Sequence, residues 1–155
     1  MNIRKATIED IDTLIKLRID LLLTLCGSLT TDEEIAIRLQ LATYFVKHIN
    51  YDFIAILVEI DNNIASTAFL AISEIPANPK FITGKKGTLL NVFTYPEYRR
   101  MGLATKVISL IIEDAKQIGV STIDFDATQE GKPLYEKFGF TEPEINHTTM
   151  KLQLD

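Results

Sequence analysis

The stretch Tyr95-Pro-Glu-Tyr-Arg-Arg-Met-Gly-Leu-Ala-Thr105 has the residue types and the spacing to hold an anion. It reads as a strand end, a tight turn containing Gly102, and the start of a long helix. The first backbone N–H groups of a helix have no internal partners. The helix dipole adds about half a positive charge at that end. Gly102 lets a ligand approach the backbone, Ala104 keeps the next turn small, and Arg99 and Arg100 add side-chain charge. A phosphate bound there would be held chiefly by backbone groups. The stretch is not a Walker motif, because no Gly-Lys-Ser/Thr follows, and it lacks the three glycines of a dinucleotide fingerprint.

Little else offers chemistry by its own pattern. His48 and His147 are isolated, and each reads as a surface or internally satisfied histidine. Cys26, the only cysteine, closes an apolar helix pattern and reads as packing, not as a nucleophile. A single cysteine excludes an intrachain disulfide and a multi-cysteine metal site, and makes the cytoplasm the default location. No metal is expected.

Charge singles out the same region. Lys80 to Lys106 holds six basic residues and one acid, Glu97, a net of +5, whereas the rest of the chain has a net of -10. An acidic chain is a poor general nucleic-acid binder, since phosphate neutralisation dominates that affinity. A basic segment within it can serve one small polyanion or be solvated.

These residues need a scaffold, and 155 residues with 46% hydrophobic content are enough for one domain with one core. We expect a single domain over 1–155. No apolar run approaches the roughly 18 residues of a membrane span, and Met1 to Asp10 carries four charged side chains, unlike a signal peptide.

Residues 2–5 suggest a short strand. Thr7 with Asp10 resembles a capping box before a helix, and Ile8, Ile11, Ile15, Ile19 and Leu22 recur at helical spacing, with Leu14 beside them. Gly27 ends that helix. Thr31, with Glu34 in the box position, predicts the cap of a second helix whose apolar stripe is Ile35, Leu39, Ala42 and Val46. Phe53–Ile60 and Ile64–Ile72 read as a strand hairpin around Asp61-Asn62-Asn63. Pro76 to Gly87 reads as a loop and 87–95 as a strand whose alternation breaks at Val92-Phe93, the sign of a bulge. Gly102 to Ile118 is the clearest helix. Thr122 to Ala127 alternates as a strand, Pro133 opens a short helix that Gly139 ends, and Met150, Leu152 and Leu154 alternate as a last strand. The order is mixed, an α/β (α+β) chain.

Arg99-x-x-Gly102-x-Ala104, preceded by Asn91-Val-Phe-Thr-Tyr-Pro-Glu-Tyr-Arg, resembles the acyl-coenzyme A signature of the GNAT family of N-acetyltransferases. Leu134-Tyr-Glu-Lys-Phe-Gly-Phe140 resembles that family's C-terminal motif, and the two lie at family spacing. The likeness extends over nearly the whole chain in element order. It implies a mostly antiparallel central sheet flanked by helices and splayed between its fourth and fifth strands. It also implies an acetyltransferase that uses acetyl-CoA. Carried over by position, Arg100, Met101, Gly102, Leu103, Ala104 and Thr105 give backbone donors to the pyrophosphate, with Arg99 beside them. Val92, Phe93 and Thr94 pair with the pantetheine arm. Tyr135 matches the general acid.

Such an acid is needed because amine attack on a thioester expels a thiolate, whose thiol has a pKa of about 8.5, and a phenol near 10 can protonate it if placed within reach. The chain departs from the usual pattern where many members carry Asn and Ala: it has Thr128 and Gly131. A Thr128 hydroxyl could replace the pantetheine-side hydrogen bond of that Asn.

The attacking amine must be neutral, and deprotonating a lysine-like amine at pH 7 costs roughly 4 to 5 kcal/mol. Candidates for the base are Asp124, Asp126, Glu130 and Glu74, with Asp126 preferred as nearer its strand end. The acidity outside the cofactor segment would steer a cationic acceptor, so a small cationic amine is favoured over a peptide. A homodimer is compatible with a small domain ending in a strand. Two rivals stand beside the enzyme: a non-catalytic acyl-CoA-binding sensor or interaction module, which would not need Tyr135, and a phosphate-ligand protein of another kind, which would also bind ATP or NAD.

Overall fold

Local chemistry starts the chain as its sequence predicts. The Thr7 side chain accepts from Glu9 N–H, and Asp10 reaches back to the Thr7 backbone, closing a capping box around a 3-10 turn at Ile8–Asp10. A computed structural model describes residues 1–155, which fall into two compact units, Met1–Phe125 and Asp126–Asp155.

The first unit is a five-stranded sheet with helices. β1 (Asn2–Lys5), β2 (Phe53–Ile60), β3 (Asn63–Glu74) and β4 (Lys85–Thr94) run antiparallel in sequence order, and β5 (Thr122–Asp124) is parallel to β4. Helices α1 (Ile11–Cys26) and α2 (Thr31–His48) precede β2, and α3 (Leu103–Ile118) joins β4 to β5. This is the mixed, mostly antiparallel architecture that the family resemblance implies.

The β2–β3 hairpin turns on Asp61 and Asn62, both with positive φ (50° and 63°). Short polar side chains tolerate that conformation, which matches the twist of the strands. β2 is apolar on both faces because both are covered. Phe53, Ala55 and Leu57 join Leu14, Leu17 and Phe45 in one core cluster, where the rings of Phe45, Phe53 and Phe69 meet at 5.1 to 6.0 Å. Against β2, β3 and β4, α3 packs its buried face of Leu103, Val107, Ile108, Ile111 and Ala115.

Four expectations need correction. The α2 cap is Thr30 with Glu33, one residue before Thr31 and Glu34. The α2 face is also different: Leu41 and Phe45 are buried, while Ile35, Leu39 and Val46 are exposed. Two apolar stripes compete along α2, and the one carrying Phe45 reaches the aromatic cluster. Finally, β5 stops at Asp124, and residues 141–155 form no helix or strand. Met150, Leu152 and Leu154 are exposed. Alternation becomes a strand only with a ladder partner, and the second unit holds no strand. Its one helix is α4 (Lys132–Glu136), with Pro133 in the first turn and Gly139 at φ 93° after it.

Candidate active site

The site begins with a defect in β4. Thr67 pairs with Phe93 but Phe69 with Leu90, so Ala68 faces two residues, Asn91 and Val92. This is a β-bulge, one residue earlier than the break in alternation suggests, and Asn91 adopts φ 53° there. Its side chain is only 4% exposed. The amide donates to the Leu17 carbonyl at 3.2 Å and accepts from Arg18 Nη1 at 3.3 Å, which fastens α1 to the bulge. A second fastening lies at the end of β4, where the Tyr95 hydroxyl donates to Asp20, and Lys16 donates to both.

On its other side β4 is open. It pairs with β5 only at Lys86, Gly87 and Thr88. From Leu89 to Thr94 no strand lies along that edge, which is the expected splay. The Phe93 carbonyl accepts from Ser66 Oγ at 3.2 Å, towards β3, whereas the Thr94 carbonyl accepts from Arg99 Nε at 3.2 Å.

After Thr94 the chain makes a 3-10 turn at Pro96–Tyr98 and passes through Arg100 and Gly102, both left-handed at φ 62° and 74°. Gly102 caps α3 without a side chain, and the first helical bond runs from Lys106 N–H to the Gly102 carbonyl at 3.3 Å. The N–H groups of Leu103, Ala104 and Thr105 therefore have no helical acceptor. The first turn of α3 has no acidic residue, while that of α2 has Asp32, Glu33 and Glu34. A Cβ on Gly102 would meet nothing within 4 Å, so the approach to these donors is open. Arg99, Arg100 and Met101 are exposed around it. Backbone donors, a positive dipole end and two arginines fit a diphosphate. Lys85 and Lys86 are committed elsewhere, to the Ile118 carbonyl and to Asp124 at 2.9 Å.

A cleft of about 420 Å³, lined by residues that include Thr13, Lys16, Ile64, Tyr95 and Tyr98, shares no residue with this helix terminus.

In the second unit, Tyr135 lies on α4 with its ring against Phe140 at 5.9 Å. Burial pushes its phenol pKa above 10. Thr128 Oγ1 accepts from Gly131 N–H at 3.1 Å, so this hydroxyl shapes the entry to α4 and keeps its own hydrogen to donate. Asp126 and Glu130 are exposed, as is Glu74 in the first unit. Asp124 is the last residue of β5, so it does not share a strand with Asp126. Cys26, expected to pack, is exposed. No group of three or more His, Cys, Asp or Glu could hold a metal ion. Sequence reasoning missed Arg18 and gave Asn91 no role. An arginine between Leu17 and Ile19 in an apolar run, and an asparagine at a break in alternation, were the available signals.

A single edge thus runs from the bulge to an uncapped helix terminus, a shape for a ligand with an extended arm and a diphosphate. The family model for the acetyltransferase (GNAT) family matches residues 25–140, and the chain belongs to that family. It is similar in structure to a predicted acetyltransferase from Clostridium acetobutylicum with acetyl-CoA, at 30% identity over 99% of this chain and 95% of that one, with a TM-score of 0.82. Glucosamine-6-phosphate N-acetyltransferase from Arabidopsis thaliana matches at 25% identity, a TM-score of 0.65, and 96% and 97% coverage. A GCN5-related N-acetyltransferase from Ralstonia eutropha shares the fold at 16% identity and a TM-score of 0.79, over 97% of each chain.

Proposed function

We propose that this chain is one acyl-CoA N-acyltransferase domain over 1–155, which transfers the acetyl group of acetyl-CoA to a primary amine by direct attack in a ternary complex. The observation that carries this reading is the open edge of β4, continuous with an acid-free α3 terminus. Leu103, Ala104 and Thr105 N–H groups hold the diphosphate, with Gly102 leaving room and Arg99, Arg100 and Met101 around it. Val92, Phe93 and Thr94 lie along the edge that takes the pantetheine arm. Arg99, already tied to the Thr94 carbonyl, links the two parts.

Acetyl-CoA supplies the activated thioester. Tyr135 donates the proton that the departing thiolate needs, and burial keeps its phenol protonated through neutral pH. Asp126, exposed to solvent, takes the ammonium proton through water. The Thr128 hydroxyl donates on the pantetheine side. The acceptor is a small amine, drawn in by the acidic charge outside the basic segment. The relatives named above support a transferase; one of them acts on glucosamine-6-phosphate, a primary amine. No helix is long and apolar enough to cross a membrane, and with one free thiol the proposed location is the cytoplasm. A homodimer fits this reading, and nucleic acid does not.

Thiol release from acetyl-CoA, measured across polyamines, aminoglycosides, amino acids and peptides, tests it. Release with one amine class, reduced in Tyr135→Phe, is expected. Binding of acetyl-CoA without release from any amine would overturn transfer.

A further inference from the structure

Arg18 is an unusual charge. It is half-buried on α1, and no carboxylate lies within 4.0 Å of it. Other cations at the α1 end of the sheet are paired: Arg4 with Asp10 and Glu59, Lys16 with Asp20. Buried charges are normally paired, because desolvation is expensive. A guanidinium offers five N–H donors, and Arg18 spends one, on Asn91 Oδ1. Burial pushes its pKa down, with no acid to oppose that.

Its position is specific. Asn91 is locked by its bond to the Leu17 carbonyl and stands at the bulge, next to Val92. Arg18 is therefore one side-chain hydrogen bond from the start of the strand segment that the proposed function assigns to the pantetheine arm. A guanidinium tethered by one hydrogen bond to a locked amide, with donors unspent, offers the planar fork that binds oxyanions in two-point fashion.

We propose that Arg18 recognises the acceptor, and that the acceptor is an amine carrying a compact oxyanion, carboxylate or phosphate, close to its amino group. The assignment rests on the transferase reading and narrows it. Arg18 reads the second charge of such an amine, whereas a polyamine would bring a second cation to it.

The test uses matched pairs of amines with and without the anion: tyrosine against tyramine, phosphoethanolamine against ethanolamine, glucosamine-6-phosphate against glucosamine. The first pair tests carboxylate and the others phosphate. We expect wild type to prefer one anionic class, and Arg18→Gln to lose about 10- to 100-fold in kcat/KM for it, mainly through KM. Arg18→Lys should recover part of that, and acetyl-CoA affinity should stay unchanged. Arg18→Met should show the same loss of preference, with some fall in Tm because the buried Asn91 Oδ1 loses its donor. Equal use of charged and uncharged partners by wild type, or a preference that survives in Arg18→Gln, would overturn the proposal.

Calorimetric binding of the same compounds separates the two readings. Arg18-dependent binding of an anionic amine without turnover would sink transfer and support Arg18. Turnover with no dependence on the anion would support transfer and sink Arg18, and neither binding nor turnover of any anionic amine would also sink it.

Discussion

The ring of Tyr135 stands so close to Gly131 that a Cβ at residue 131 would lie 3.3 Å from Tyr135 Cε2 and 3.2 Å from Thr128 Oγ1. Gly131 has φ -79°, which any residue adopts, so space and not backbone conformation calls for glycine. Gly131→Ala must therefore move Tyr135 or Thr128 by a few tenths of an ångström. The same change restricts the unfolded chain and stabilises by about 0.4–1 kcal/mol where geometry permits. We expect Tm to hold or rise while kcat falls several-fold and acetyl-CoA affinity stays put. A variant as active as wild type would show that the placement of Tyr135 is not critical.

Burial of Tyr135 has a consequence in pH. In the proposed role of general acid its phenol is the active form, and burial pushes its pKa up, so activity should persist below that value and fall only as pH rises through it, above the ordinary phenol value of about 10. In Tyr135→Phe, kcat should drop about 100-fold and the alkaline limb should vanish. Profiles of kcat from pH 6 to 10.5 in both proteins decide it. An identical alkaline limb in the variant would assign that limb to another group.

How legible this was in the sequence depended on how local each determinant is. The turn at Gly102 and the start of α3 were legible because a turn, a glycine and a helix start are all within eleven residues. The Asp61-Asn62 turn and the Gly102 and Gly119 ends of α3 were likewise local. The α2 face was not, because Ile35, Leu39 and Val46 form as good a stripe as Leu41 and Phe45, and only the ring cluster of another element chooses between them. Arg18 stood out only as an arginine in an apolar run, and what it bonds was not legible for a similar reason: its partner Asn91 is 73 residues away. The alternation at Met150, Leu152 and Leu154 shows the reverse error, where a local pattern lacked the neighbour that makes it a strand.

Gly102 is left-handed with empty space where a side chain would project. Substitution by alanine would cost about 1–2 kcal/mol of backbone strain, relieved if the turn rotates away from that conformation. Either way the first donors of α3 are disturbed or their approach is crowded. Gly102→Ala should fold with a lowered Tm and bind acetyl-CoA at least tenfold more weakly, by calorimetry. Unchanged affinity would move the diphosphate away from this terminus.

Arg4 joins three elements, because its guanidinium bonds Asp10 at 2.8 and 2.9 Å and Glu59 at 2.8 Å. Hydrogen bonds from Arg4 hold both carboxyls below the ordinary range, against the opposing effect of burial. A carboxyl depressed in the folded state stabilises above its unfolded pKa near 4, and that contribution is lost as pH falls through the folded value. Tm should therefore be flat from pH 7 to about 5 and fall below 4. In Arg4→Met the two carboxylates lose their shared partner, so Tm at pH 7 should be lower and the further fall towards pH 3 smaller. Melting curves at pH 7, 5, 4 and 3 give the comparison. Parallel Tm profiles in the two proteins would mean that other carboxylates carry the acid sensitivity.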